Sequence, residues 1–170
     1  FEEGGTASGH YFHQDLLVAQ RIFEIKPITH LDIGSRVDGF VAHVASFRKI
    51  EVLDLRPTQA VVENISFKKA DLMKVDDALL NYCDSLSCLH ALEHFGLGRY
   101  GDSIDPQGHI KGFNNALKLL KKDGLFYISF PISNKTRIEF NEQRVFQYSE
   151  ILNWLKPFQE EYVLECFDYI

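Results

Sequence analysis

At 170 residues, with 45% hydrophobic and 25% charged side chains, the chain has the size and balance of one globular domain whose core needs no staples. A formal net charge of −6 excludes an electrostatic footprint for nucleic acid or an anionic membrane surface, and no apolar run is long enough to span a bilayer. Three cysteines, Cys83, Cys88 and Cys166, lack metal-like spacing, and two lie in or beside apolar runs, so a reducing, cytoplasmic setting without a metal site is expected.

Phe1–Gly9 is glycine-rich and expected to be mobile, and a first residue other than Met is what a fragment or processed chain shows. The stretch GHYFHQD, ending at Asp15, concentrates aromatic and imidazole groups ahead of a helix predicted over Gln14–Glu24. Leu16, Ala19, Gln20 and Phe23 form its expected buried face, and Pro27 ends it. His30–Ile33 reads as the first strand and Phe40–Phe47 as the next helix. Ile50–Leu55, closed by Arg56–Pro57, and Ile65–Ala70, ending at Asp71–Leu72, read as the second and third strands. A weak helix over Val75–Tyr82 leads to a fourth strand, Ser85–Leu89.

The glycine-laden stretch Phe95–His109 has the length of a functional lid or a disordered loop. Phe113, Ala116, Leu117 and Leu120 mark a helix stopped by the turn Lys121–Gly124. Leu125–Phe130 is the fifth strand, with Phe126, Tyr127 and Phe130 expected in the core of a central strand and Pro131 at its end. Ser149 is the expected N-cap of a short helix with Ile151, Leu152 and Leu155, Trp154 packs it, and Glu161–Tyr169 reads as a last strand.

Alternating strands and helices imply an α/β, Rossmann-like, doubly wound and mostly parallel sheet with helices on both faces. Ligands bind such sheets beyond the carboxyl ends of the strands, which gathers Asp32–Gly39, Asp54–Leu55, Asp71–Leu72, Leu89–His94 and Pro131 on one rim. The organising stretch is HLDIGSRVDG, His30–Gly39, a strand entering a small-residue turn whose free N–H groups suit a nucleotide-like cofactor. Asp54 follows Gly34 by twenty residues, a spacing at which a strand-end acid can accept hydrogen bonds from both hydroxyls of a ribose. Asp71 either approaches an adenine amino group, with Leu72 on its ring, or is an ordinary turn acid.

HALEH, His90–His94, fits the literal pattern H-x-x-E-H of a zinc peptidase class, but its first histidine follows directly on a strand and the segment opens into a loop, which argues against zinc. His94 either serves as a general base near neutrality or, with Glu93, only hydrogen-bonds the loop. His10, Tyr11 and His13 either form a lid or anchor the N-terminus, and His109 faces either the pocket or solvent. Arg36 either pairs with Asp38 on the surface or reaches toward a bound ligand's carboxylate.

Taken in order, HLDIGS, VLDLRP, FKKADL, SLSCLHALEHF and LKKDGLFYISFP resemble a class I S-adenosylmethionine-dependent methyltransferase, and more narrowly a bacterial and nematode branch of that superfamily. The resemblance covers roughly His30–Pro131 and lies in order and spacing. It implies S-adenosylmethionine as cofactor, held by Asp32, Gly34 and Ser35 of the loop, Asp54 with Leu55 at the ribose, Asp71 with Leu72 at the adenine, and His90 with Leu92 along the fourth strand's edge. Leu119–Pro131 matches the turn and strand that close the site, and His94 becomes the candidate catalytic base.

The sequence departs from the family where its second loop glycine gives way around Ser35–Arg36 and its last shifts to Gly39. The final hairpin also lacks a second strand, so a missing C-terminal piece is expected. The implied organisation is one domain, with an N-terminal lid and helix over 1–26, a cofactor-binding core over 27–131 and a C-terminal helix and strand over 132–170. The expected activity is methyl transfer to a small polar, hydroxyl-bearing acceptor such as a sugar, with neither nucleic acid nor membrane as partner. A nicotinamide dehydrogenase suits the Gly34–Asp54 spacing but wants three glycines in register, which Arg36 and Val37 break. A binding module without turnover has only the altered loop in its favour.

Overall fold

Buried apolar strands whose carboxyl ends carry an acid or a loop histidine build the centre of the molecule. A computed structural model describes residues 7–56, 61–74, 76–140 and 142–169. β1 (His30–Ile33), β2 (Ile50–Asp54), β3 (Ile65–Lys69), β4 (Cys83–Leu89) and β5 (Leu120–Ser129) form one parallel sheet in the order β3-β2-β1-β4-β5. β1 is buried along its whole length, as a strand covered on both faces must be. The order reverses between β1 and β4, so their carboxyl ends flank the switch point of the sheet.

Helices cover both faces. α1 (His10–Ile25) and α2 (Ala42–Ala45) pack Val18, Ile22 and Val44, with Phe40 from the turn before α2, against Ile50 and Val52 on one side. α3 (Gly108–Leu119) and α4 (Tyr148–Leu155) pack Phe113, Leu117, Ile151 and Trp154 against Leu86 and Cys88 on the other. The turn between β1 and α2 is a wide π-type turn over Val37–Val41, which Gly39 interrupts with non-helical backbone.

Several boundaries differ from expectation. α1 starts at His10, so His10, Tyr11 and His13 belong to the helix, which ends at Ile25 with Lys26 in the left-handed conformation, just before Pro27. Its buried face is Gln14, Asp15, Val18, Ala19 and Ile22, while Leu16 and Phe23 are exposed. The period was right and the phase wrong, because two polar residues face inward toward the rim of the sheet. The weak helix reduces to one 3-10 turn at Asp77–Leu79, capped by Asp76, with Val75 outside the described residues, as are Pro57 and the start of the glycine-rich N-terminus.

β5 is the edge of its sheet and not its centre, and its Phe126 and Tyr127 are half-buried. The predicted turn Lys121–Gly124 survives as a bulge, because Cys83 pairs with Leu120 and Ser85 already with Leu125. Ser149 lies inside α4, whose N-cap is Gln147, and Glu161–Tyr169 forms no strand. The largest omission is a second sheet of β6 (Ile132–Ser133), β7 (Arg137–Glu139) and β8 (Gln143–Gln147), ordered β6-β8-β7. Among the described residues no helix is long and apolar enough to cross a membrane.

Candidate active site

The loop after β1 is fixed from below. Gly34 adopts φ +67, donates its N–H to the Leu53 carbonyl at 2.9 Å, and passes so close to Ala91 that an added Cβ would stand 3.2 Å from that side chain. A glycine is the residue that takes this conformation and approach without strain. Asp32, wholly buried, accepts hydrogen bonds from the Ser35 N–H (2.9 Å), the Ser35 hydroxyl (2.8 Å) and the Ser87 hydroxyl (2.5 Å). Burial pushes its carboxyl up to about 6, against those three bonds, which favour the ionised form. Ser87 also meets His30, whose other ring nitrogen lies 2.8 Å from the Ser85 hydroxyl, and burial holds His30 neutral with a pKa of about 3. Asp32 therefore shapes the loop from underneath and does not line the cavity above it.

That cavity, about 330 Å3, runs along the carboxyl ends of β1, β2 and β4 at the switch point. Gly34, Ser35, Asp54, Leu55, Asp71, Leu72, His90 and His94 all line it, whereas Asp32 lies beneath the loop and Leu92 is buried in the core rather than along the cavity. A volume of this size suits a small organic ligand. Asp54, at the end of β2, takes a bidentate pair from Arg56 at 2.9 and 2.7 Å and a third bond from the Arg56 N–H. Burial acts to raise its pKa, but the Arg56 hydrogen bonds win and hold the carboxyl below its ordinary range. The Arg56 guanidinium in turn lies 4.5 Å over the Tyr100 ring, tying the glycine-rich loop to β2. Asp71 closes a tight turn through the Met73 N–H at 3.0 Å and pairs with Lys74, while Leu72 is buried in the core beside it.

The HALEH segment turns sharply. His90 sits at φ +50, and Leu92–His94 is one 3-10 turn. The His90 Nδ1 lies 3.1 Å from Oε1 of Glu93, a residue with no exposed surface. The His94 Nδ1–H donates to the Glu142 carbonyl at 2.8 Å, so the two histidines serve different partners and do not converge as zinc ligands would. Among the described residues no group of three His, Cys, Asp or Glu side chains could hold a metal ion. Tyr11 joins the wall from α1, its ring 4.9 Å from that of His90, with His10 at 5.4 Å. Arg36 pairs with Asp38 at 2.7 Å on the surface, both side chains largely exposed. His109 faces neither pocket nor solvent. It stacks on Phe146 beside Trp154, and burial lowers its pKa to about 4.

Three further residues shape the site: Glu93, which the sequence offers only as a partner of the loop, and Asp15 and Arg144, which carry no functional signal there. Asp15 of α1 reaches the loop so closely that a Cβ on Gly39 would stand 2.8 Å from its Oδ2, and burial raises its pKa. Glu93 orients His90. Arg144 of β8, 3% exposed, donates to the carbonyls of Phe95 (2.6 Å), Glu93 (3.3 Å) and Asp105 (3.4 Å), pinning both ends of the glycine-rich loop. The alternation in RIE and QRVFQ, with a short break between them, was a hairpin signal that could have exposed this last residue.

This fold recurs in solved structures. The chain is similar to the 1,6-didemethyltoxoflavin-N1-methyltransferase of Burkholderia thailandensis, solved with 1,6-didemethyltoxoflavin and S-adenosylhomocysteine bound, at 17% identity and a TM-score of 0.59, covering 85% of this chain and 66% of that one. It is similar also to an S-adenosylmethionine-dependent methyltransferase of Clostridium acetobutylicum, at 12% identity and a TM-score of 0.61, covering 88% and 80%. The cyclase SpnF, a (4+2)-cyclase, shares the fold at 16% identity and a TM-score of 0.58, covering 92% and 60%. The chain thus spans less than two thirds of the first and last of these relatives. The fold is that of the class I S-adenosylmethionine-dependent methyltransferases. Residues 59–159 match the family described as "Caenorhabditis protein of unknown function, DUF268", and the chain belongs to that family. No curated protein matches it.

Proposed function

We propose that this chain, acting as one domain, transfers the methyl group of S-adenosylmethionine to a small hydroxyl-bearing acceptor such as a sugar. The observation that carries the reading is the order of groups around one cavity: Gly34 and Ser35 at the switch point, Asp54 at the end of β2, and Asp71 with Leu72 beyond β3. The fit is chemical as well as spatial. At Gly34 an added Cβ would press on Ala91, which also lines the cavity, so glycine lets the loop backbone run close along that wall. Asp54 would accept from the ribose hydroxyls once Arg56 gives up one carboxylate oxygen, Leu72 would cover the adenine, and Gly34 with Ser35 would face the methionine end.

The cofactor supplies a methyl group already activated on a sulfonium, so the chain's own part is to position the acceptor, exclude water and receive a proton. Tyr11 from α1 and Tyr100 from the glycine-rich loop flank the cavity and are suited to exclude water. The acidic overall charge favours a small molecule over nucleic acid as acceptor, and the free buried thiols of Cys83 and Cys88 favour a reducing, cytoplasmic setting. The cyclase on the same fold is the reason to test the cofactor directly. Isothermal titration with S-adenosylhomocysteine and with NAD is the test. Binding of S-adenosylhomocysteine that Asp54→Ala weakens by about tenfold or more supports the reading. Binding of NAD alone overturns it.

A further inference from the structure

The geometry points to His90, oriented by buried Glu93, as the group that takes the acceptor's proton, in place of His94; this rests on the methyl-transfer reading. Glu93 has no exposed surface, and among the described residues its carboxylate makes one hydrogen bond, Oε1 to His90 Nδ1 at 3.1 Å, while Oε2 finds no partner there. A buried carboxylate so sparsely satisfied is costly for folding, and a cationic His90 is what would compensate it. With a carboxylate accepting at Nδ1, the proton of the neutral ring sits there and Nε2 keeps its lone pair. His90 also holds a left-handed backbone conformation, φ +50, at the end of β4, a strained geometry of the kind that accompanies a working site.

Position separates the two histidines. His90 stands where the strand order reverses, packed against His10 and Tyr11 of the helix that closes that end of the cavity. The His94 ring packs T-shaped against Tyr100, over whose ring lies Arg56, the partner of Asp54, so His94 belongs to the ribose end. The titratable groups facing His90 are Glu93 on its own turn and His10, Tyr11 and Asp15 from α1. Among them Glu93 alone contacts the ring through a hydrogen bond. In the transfer, the acceptor's O–H proton goes to His90 Nε2 and its oxygen forms the new O–CH3 bond. The electrons of the breaking S–CH3 bond stay on sulfur, leaving a thioether, and the proton on His90 passes to solvent afterwards.

The test needs no acceptor. Sinefungin carries an ammonium-bearing carbon where S-adenosylmethionine carries its methyl-sulfonium, so a lone pair aimed at the methyl position favours it over S-adenosylhomocysteine. In titrations of both ligands, His90→Asn, which tolerates the left-handed backbone, is expected to lower the ratio of sinefungin to S-adenosylhomocysteine affinity by about tenfold. Glu93→Gln, whose amide can donate to Nδ1 and move the ring proton to Nε2, is expected to erase the same preference, whereas His94→Asn is expected to leave the ratio of the two affinities intact. Long-range 1H–15N spectra of the wild-type protein give a ligand-free readout, with His90 expected in the Nδ1–H form. An unchanged ratio in both His90→Asn and Glu93→Gln, or a ring in the Nε2–H form, overturns the assignment to His90 alone. A wild-type protein that binds neither ligand overturns the methyl-transfer reading itself.

Discussion

Asp32 offers the sharpest contest between two opposing electrostatic effects. Three hydrogen bonds favour its ionised form and complete burial opposes it, and burial wins, lifting the carboxyl from its ordinary 3.8 to about 6. A group whose pKa is raised by folding stabilises the protein fully below the unfolded value and loses that contribution as pH rises through the folded one. A shift of about 2 pH units is worth about 3 kcal/mol at 1.36 kcal/mol per unit, and about half of it falls between pH 5 and pH 8. Asp32→Asn keeps the shape and can reproduce the network, its carbonyl accepting from the Ser35 N–H and its amide donating to the two hydroxyls, which can rotate to accept. Because asparagine does not titrate, the stability of Asp32→Asn relative to wild type is expected to improve by about 1.5 kcal/mol between pH 5 and pH 8. Urea unfolding of both proteins at the two pH values measures this. A difference that is independent of pH, or that moves against the asparagine as pH rises, would show that the three hydrogen bonds outweigh burial and would refute the reasoning.

Two further predictions concern buried groups that support the site without lining its cavity. Arg144→Met keeps the length of the side chain but strips three loop carbonyls of a buried donor, with an expected loss of about 2–4 kcal/mol in urea unfolding and faster proteolysis within the 95–107 loop; a change under about 0.5 kcal/mol would mean that the loop is held elsewhere. His30, neutral in the fold with a pKa near 3 against an ordinary 6.5, contributes stability that is present above pH 6.5 and drains as pH falls toward 3. Proton titration by NMR should therefore find His30 uncharged at pH 5, and a midpoint near 6.5 would contradict its burial beside Ser85 and Ser87.

The strands were legible because each carries its own local signal. His30–Ile33 was read with its observed bounds, and β2, β3 and β4 came within one or two residues at each end, since a short apolar run ending in an acid or a polar turn needs no partner to be recognised. Their alternation with helices was enough for the doubly wound class and for the rim on which the candidate site lies. The loop residues Gly34 and Asp54 were visible through spacing along the chain.

What the sequence could not supply were quantities that depend on neighbours distant in the chain. The phase of α1 turned on Asp15 and Gln14 facing the β1 loop, which an apolar count assigns to the wrong side. The apolar residues of β5 suggest a central strand, yet β5 is an edge, because strand order is a property of pairing and not of composition. Asp32 was read as a ligand-facing acid and lies beneath the loop, bonded to a serine 55 residues away. By itself the sequence determined a parallel α/β sheet with a glycine turn and a strand-end acid on one rim. Only the tertiary structure decided which acid faces the cavity, which histidine receives a buried carboxylate, and which arginine pins the loop, because burial and pairing are set where the chain meets itself.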